Sequence, residues 1–392
     1  MSGWMWLAGA ITSFLAGPRS GRTELNRSAL TAFSSIGCRC RERKLPDPNR
    51  PMANIFLTDQ CDRGCKFCFA KIGPWSKSYP SRALTLAEVR EILEVKAFSP
   101  QQVLGVVGGE PLSYPHLFEV MEMMKQKRIV TKIFTSGSCT PADGLERYKE
   151  QMPLNFIVNI DSMDSYTPER RKNLERFLKT FGPITCVGFT LVDPERDLSF
   201  LLDYIRDYRM LRYIRMGVAL PIAGLTENEY IRRERYRDAG LRFMELARKA
   251  AAENISIGCD CGFVACMFEI SEIGQLQRWG MKIQFVCGPA MDIGPELETW
   301  HCFPLSRMPR VSLRKYQSFE RVRMALQSMA DQLREKHGPG IFTRCRECRY
   351  RKRGQCSGGC LGLIVPENAL SEVEPKIDSA VSTGESSCPI SC

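Results

Sequence analysis

Histidine is scarce in this chain of 392 residues, with 3 His against 18 Cys, so any metal chemistry must rest on thiolates. Long apolar runs are also missing. No stretch of about 18 uncharged apolar residues exists to cross a bilayer as a helix. With 44% hydrophobic and 25% charged residues, the chain is neither wholly disordered nor collagen-like nor fibrous. A secreted disulfide framework is excluded by size, since such frameworks serve small domains unable to build a core. This chain is long enough for a large domain and a smaller one.

The net charge of +11 is unevenly spread, because residues 1–51 hold eight Lys/Arg and three Asp/Glu and so account for +5. The body is only mildly basic. A local run of Arg344, Arg346, Arg349, Arg351, Lys352 and Arg353 lies among cysteines, where it either screens an anionic group or forms a solvated face. No nucleic-acid-binding motif accompanies the charge, and no membrane partner is expected.

Residues 1–51 read as a leader, disordered or ahead of the true start at Met52, and its Cys38 and Cys40 are expected to ligate nothing. The apolar stretch 4–16 resembles a signal-peptide core but has no Lys or Arg before it. From residue 52 the pattern alternates β-rich runs with amphipathic stretches, the mark of βαβ units around a parallel sheet. Strands are predicted over 53–58, 103–107, 129–134, 155–160, 184–192 and 213–220. Helices are predicted over 85–97, 115–127, 143–150, 167–180 and 198–208, the first opened by a Thr85 and Glu88 capping box. Six strands imply an α/β fold, a partial (β/α)6 TIM-like barrel over 52–225, with the alternation stopping after Leu220. A linking helix is expected over 226–255, opened by Thr226 and Glu229. Residues 256–392 read as a loop-rich domain that carries most of the cysteines and depends on its metals to fold.

The chemistry centres on Cys61-Asp-Arg-Gly-Cys65-Lys-Phe-Cys68, where C-x3-C-x2-C spacing brings three thiolates onto one loop after the first strand. A structural zinc site closes with four protein ligands, whereas a 4Fe–4S cluster on three cysteines leaves one iron open. Other strand ends carry Gly108-Gly109-Glu110-Pro111, Thr135-Ser136-Gly137, Asn159-Ile160-Asp161-Ser162 and Leu220-Pro221. Alone, the Gly-Gly-Glu-Pro run is an ordinary turn and Asp161 an ordinary cap or loop acid. Together, in order and at the carboxyl ends of strands, they stand on the face where barrel enzymes keep their sites.

This constellation resembles the radical S-adenosylmethionine (radical SAM) superfamily. The resemblance implies that Cys61, Cys65 and Cys68 hold a 4Fe–4S cluster whose open iron takes S-adenosylmethionine, and that reduction cleaves the sulfonium to a 5′-deoxyadenosyl radical. It further implies that Phe67, Gly108, Gly109, Glu110, Pro111, Ser136, Asn159, Asp161 and Leu220 line the cofactor, with Glu110 on its ammonium group. A low-potential electron donor such as flavodoxin or ferredoxin, and a reducing cytoplasm, are implied with it.

In the second half, Cys287-x14-Cys302, Cys345-x2-Cys348-x7-Cys356-x3-Cys360 and Cys388 resemble the SPASM pattern, which houses two auxiliary 4Fe–4S clusters. That pattern implies a nearer cluster on Cys287, Cys302 and Cys360 and a farther one on Cys345, Cys348, Cys356 and Cys388. Three departures stand out: the gap of seven after Cys348, Leu297 in place of a glycine, and Cys392 as a rival to Cys388. A fourth ligand for the nearer cluster is expected from Cys259, Cys261 or Cys266, with Cys266 favoured. Cys139 and Cys186 read as packing residues, and His301 as a hydrogen-bonding neighbour of Cys302.

The expected activity is modification of a ribosomally made peptide by crosslinking, epimerisation or oxidation. Oxidation or rearrangement of a small metabolite such as an amino sugar is the alternative. Sulfatase maturation is disfavoured, because Phe303 stands where that activity places an acid. A non-catalytic, metal-stapled interaction module leaves the Gly-Gly-Glu-Pro strand unexplained.

Overall fold

Strands β1 (Ala53–Phe56), β2 (Val103–Val107), β3 (Val130–Thr135), β4 (Leu154–Asn159), β5 (Thr185–Leu191) and β6 (Tyr213–Val218) lie side by side in chain order, all parallel. They belong to a computed structural model that describes residues 53–68, 83–95, 103–138, 144–223, 228–288 and 290–376. Helices α1 (Leu86–Glu94), α2 (Leu117–Gln126), α3 (Pro168–Phe181), α4 (Phe200–Asp207) and α5 (Tyr236–Ala252) follow the strands. The Thr85 and Glu88 box caps α1, each side chain accepting the other residue's backbone N–H. The leader with Cys38, Cys40 and Met52, and also Cys139, Thr226, Cys388 and Cys392, lie outside the described residues.

The two faces of the sheet differ in chemistry, as alternation along a strand requires. Ile55, Val106, Ile133, Phe156, Val158, Val187, Ile214 and Met216 join Val89, Ile92, Met121, Leu174, Leu178 and Phe243 of the helices in one buried core. The inner face is polar. In register across it run Asp292, Asn54, Gly105, Lys132 and Asn155, and nearer the carboxyl ends Asn159, Gly188, Arg215 and Gly258. Glycine makes room for neighbours here, since a Cβ on Gly105 would stand 2.0 Å from Asn54 Oδ1 and one on Gly188 2.4 Å from Asn159 Oδ1.

The sheet extends past the six expected strands. Helix α5 carries the chain to a seventh parallel strand, β7 (Ser256–Cys259), beside β6. On the other edge β8 (Met291–Ile293) pairs in parallel with β1, followed by antiparallel β9 (Glu298–Trp300) and β10 (Val311–Ser312). The sequence pattern hid these strands because they are only two to four residues long. The residues from 46 onward form one unit by contact.

Three expectations need correction. The helix predicted from residue 226 begins at Tyr236, because the preceding segment is tied to the end of β6: Asn228 Nδ2 donates to Leu220 O (2.8 Å) and Ile231 N to Ala219 O (3.2 Å). The stretch 143–150 makes only the 3₁₀ turn Leu145–Tyr148. The C-terminal region is helical as well as loop-rich, holding α6 (Ile270–Arg278) and the 19-residue α7 (Phe319–His337). Helix α7 is capped by Ser318 and buries Val322, Leu326, Met329 and Leu333 at helical spacing. No helix among the described residues is long and apolar enough to cross a membrane.

Candidate functional site

After β1 the chain runs through Thr58 into the loop holding Cys61, Cys65 and Cys68, all half-buried. Cys68 N donates to Cys65 O (3.2 Å) and Arg63 N to Cys61 Sγ (3.4 Å), so the loop is shaped by local turns. The end of β2 pins this loop, with Gly109 N donating to Thr58 O (2.6 Å) and Glu110 N to Gln60 O (2.8 Å). A Cβ on Gly108 would lie 2.5 Å from Thr58 O, and one on Gly109 2.3 Å from Gln60 O. The glycines expected to admit a cofactor therefore also admit the cysteine loop itself. Cys68 packs on an aromatic cluster of Phe56, Trp300 and Phe303, with ring centroids 5.9 Å apart, while Phe67 is half-buried beside it.

Glu110 is 1% exposed, and its carboxylate accepts from Thr135 Oγ1 (2.5 Å), Ser136 N (2.9 Å), Ser136 Oγ (2.7 Å) and Leu112 N (3.2 Å). It locks the end of β3 to the end of β2, and Pro111 then opens a tight turn. Satisfying four donors is a different task from the ammonium contact implied by resemblance. Asn159 stands exposed at the end of β4, and its carbonyl accepts from Arg63 Nη1 (3.2 Å). Asp161 is braced on every side: it pairs with Arg196, its Oδ1 accepts from Ser162 N (2.7 Å), and its carbonyl accepts from Tyr204 Oη (3.1 Å). Leu220 is buried at the end of β6, near the segment that bears Asn228.

Sequence reasoning missed the charged groups of the inner face. Arg215 pairs with Asp260 (2.6 Å) and lies over the Phe134 ring, 5.1 Å from its centroid. Cys186 is on the same face; burial pushes its thiol up while the positive charges of Lys132 and Arg215 pull it down. Alternation within predicted strands, with one basic residue among the inner-facing positions of each, was the signal available for Lys132 and Arg215.

The C-terminal cysteines fall into two sets. Cys302 is pushed well above the ordinary thiol range by burial and then by the negative forms of Cys360, Cys287 and Cys261. Cys261 is raised by Asp260, by burial and by Cys287 and Cys360, while burial and Cys287 push Cys360 up to about 12. Cys261 thus shares its electrostatic surroundings with Cys287, Cys302 and Cys360. Cys266, the residue favoured in the sequence, sits in the short 3₁₀ turn Ala265–Met267, and burial raises its thiol while Arg344 lowers it. The turn Cys345–Cys348 is closed by Cys348 N donating to Cys345 O (3.4 Å). His301 is buried, with Nδ1 3.4 Å from Cys302 Sγ, and burial lowers it to about 4.

A donor set made of thiols fits iron–sulfur clusters, which are held by cysteine thiolates. Among the described residues no three Cys, His, Asp or Glu side chains converge at the spacing of a single ion. Several bridged irons spread their ligands more widely than one ion does.

A family model for the radical SAM superfamily matches residues 55–190. The chain is similar to an S-adenosylmethionine-dependent nucleotide dehydratase of Flammeovirga pacifica, 34% identical over 119 residues, which cover 30% of this chain and 40% of that protein. It is also similar to the GTP 3′,8-cyclase of Alkaliphilus metalliredigens, 27% identical over 31% of this chain and 37% of that protein. The chain thus spans well under two thirds of the length of these relatives. Among solved structures its fold is similar to Streptococcus suis SuiB bound to precursor peptide SuiA, with TM-score 0.57, 14% identity and 79% and 72% of the two chains covered. It is likewise similar to anSMEcpe bound to AdoMet and a peptide, with TM-score 0.58, 11% identity and 82% and 92% covered.

Proposed function

Because the chain carries a radical SAM domain over residues 55–190, we propose that it cleaves S-adenosylmethionine reductively and abstracts a hydrogen from a substrate held at the carboxyl ends of its parallel strands. The reading rests on one observation: a three-thiol loop pinned by backbone hydrogen bonds to the Gly108–Glu110 turn. When bound to Cys61, Cys65 and Cys68, a 4Fe–4S cluster with one open iron supplies one-electron cleavage of the sulfonium to a 5′-deoxyadenosyl radical.

The chain's own residues set the stage. Gly108 and Gly109 let the thiol loop lie flat on the end of β2, and Glu110 holds the β3 turn at a fixed height beside it. Phe56, Trp300 and Phe303 keep water from the Cys68 side. Asn159, and Asp161 braced by Arg196, stand at the end of β4 to orient the nucleoside portion. The sets Cys261/Cys287/Cys302/Cys360 and Cys345/Cys348/Cys356 would hold auxiliary 4Fe–4S clusters, whose chemistry there would be one-electron transfer. A low-potential donor such as flavodoxin or ferredoxin would feed the first cluster, in a reducing cytoplasm.

A ribosomally made peptide is the substrate we favour, supported by a fold shared over about 80% of the chain with structures that bind peptides. A small anionic metabolite such as a nucleotide is the second reading, favoured by Lys132 and Arg215 on the inner face and by the likeness of about 30% of the chain to an S-adenosylmethionine-dependent nucleotide dehydratase. Anaerobic reconstitution, reduction and chromatography test the core claim. The wild type should release 5′-deoxyadenosine and Cys65→Ala should fall to background; native-rate release by Cys65→Ala overturns the site. Mass change on a Cys- or Gly-rich precursor peptide, against one on nucleoside triphosphates, decides between the substrates.

A further inference from the structure

Residues 344–353 set six cations against one acid, Glu347, and interleave them with Cys345 and Cys348. The fold turns most of this charge to water. Arg344, Arg346, Arg349, Lys352 and Arg353 are exposed, and among the described residues only Lys352 of the six cations pairs with an acid, Glu347. An exposed guanidinium adds little to the screening of a buried anionic group, so the run forms an outward surface of one sign.

That surface is held in shape. The Arg344 guanidinium lies 4.8 Å from the centroid of the Phe342 ring and that of Arg349 5.1 Å from Tyr350, while Arg351 Nε donates to Pro339 O (3.0 Å). Backbone bonds fix the segment beneath them: Cys345 N donates to Phe342 O (2.9 Å), Gln355 N to Tyr350 O (2.8 Å) and Ile341 N to Gly358 O (2.8 Å). Arginines already held lose less freedom when a partner arrives.

The cysteines belong to the same segment. Cys345 is buried between Arg344 and Arg346, and Cys348 half-buried between Glu347 and Arg349. Next to Cys356, Ser357 Oγ accepts from Cys287 N (2.7 Å), which ties this cysteine set to the other. A substrate awaiting radical chemistry needs an enclosed site, which an exposed charged face does not offer. Exposed charge gives fast, salt-sensitive encounters through a small interface, which suits a protein that delivers one electron and leaves.

We propose that Arg344, Arg346, Arg349, Lys352 and Arg353 form the docking face for an acidic one-electron carrier protein, which settles over the Cys345–Cys348 turn and not at the Cys61–Cys68 loop. This rests on the reading above that a low-potential donor feeds the protein.

Calorimetric titration of anaerobically reconstituted full-length protein with flavodoxin tests the face directly. Wild-type affinity should fall about tenfold as salt rises from about 50 to about 250 mM. Arg346→Glu/Arg349→Glu/Arg353→Glu should weaken binding at low salt by at least about tenfold, and the corresponding Gln triple by less. Release of 5′-deoxyadenosine should then show a raised KM for flavodoxin, with unchanged kcat and an unchanged rate when dithionite replaces the protein donor. Unaltered dithionite-driven release and melting temperature show that the variant is folded. A control triple on the exposed surfaces around α2, α3 and α5, Lys127→Glu/Lys179→Glu/Arg248→Glu, should bind as wild type does. Unchanged affinity and KM in the first triple, or equal weakening in the control, would overturn the proposal. So would equal affinity for an oligoglutamate peptide, which would make the face a general anion surface. A wild type that yields no nucleoside with dithionite would sink the reaction itself, while the binding titration still decides the docking face.

Discussion

The three-thiol loop after β1 and the cysteine sets of the C-terminal half handle the same side chain in opposite ways. Cys61, Cys65 and Cys68 come from eight consecutive residues, stay half-buried, and are positioned by short backbone hydrogen bonds to one neighbouring turn. Cys261, Cys287, Cys302 and Cys360 come from four separate segments, and the thiols of Cys302 and Cys360 are raised by burial and by neighbouring negative charge, that of Cys261 by Asp260 and by burial. A ligand set drawn from one loop keeps a side open to a small molecule. One gathered from across the fold depends on the tertiary structure for its assembly.

Alkylation of the metal-free protein at pH 8 gives the largest expected contrast. Cys360, pushed up to about 12, should react at least about a hundredfold more slowly than free cysteine, and Cys302, also raised by burial, should be slow beside the thiols of the loop. Site-resolved mass spectrometry reads the rates, and equal rates would erase the distinction.

The pinning of the open loop is probed by Gly109→Ala, whose added Cβ would lie within 2.6 Å of both the Asp59 and Gln60 carbonyls. Backbone cannot yield cheaply, so a loss of about 3 kcal/mol in denaturant unfolding is expected, together with loss of iron from the loop. An alanine variant with wild-type stability would mean that the loop is not held by β2.

Away from both cysteine regions, Asp292 on β8 accepts from Asn54 Nδ2 (2.8 Å), and burial pushes its carboxyl up to about 7. The folded state then binds a proton that the unfolded state has released, so stability falls as pH rises from about 4 through 7 and levels off above. Asp292→Asn should remove about 2 kcal/mol of this pH dependence between pH 5 and 7, read from unfolding midpoints. Identical pH profiles would refute the assignment.

The smallest effect should come from the exposed pair of Lys66 and Glu229 (3.1 Å), with side chains 77% and 50% exposed. Glu229→Gln should shift the melting temperature by no more than about 1 °C, because such pairs contribute little. The backbone bond from Glu229 N to Lys66 O (3.1 Å) ties the segments instead.

Much of this architecture could be read from the chain. The six central strands end within two residues of their expected limits, since period-2 alternation and apolar helix faces are local signals. The short edge strands and α7 were overlooked for different reasons. Strands of two to four residues carry too little pattern to recognise, whereas α7 has a clear helical period set among glycines, prolines and cysteines. The thiol loop was legible because its ligands are neighbours in sequence. The hydrogen-bonding duty of Glu110 was not, because Thr135 and Ser136 lie 25 and 26 residues away.

By itself the amino-acid order determined the alternating β/α pattern and the three-sulfur loop, because both arise from interactions spanning a few residues. That Glu110 meets Thr135 and Ser136, that Asp161 pairs with Arg196, and that Lys132 and Arg215 share the inner face were decided by tertiary structure. Strand register sets those neighbours, and no local spacing encodes the meeting of segments far apart in the chain.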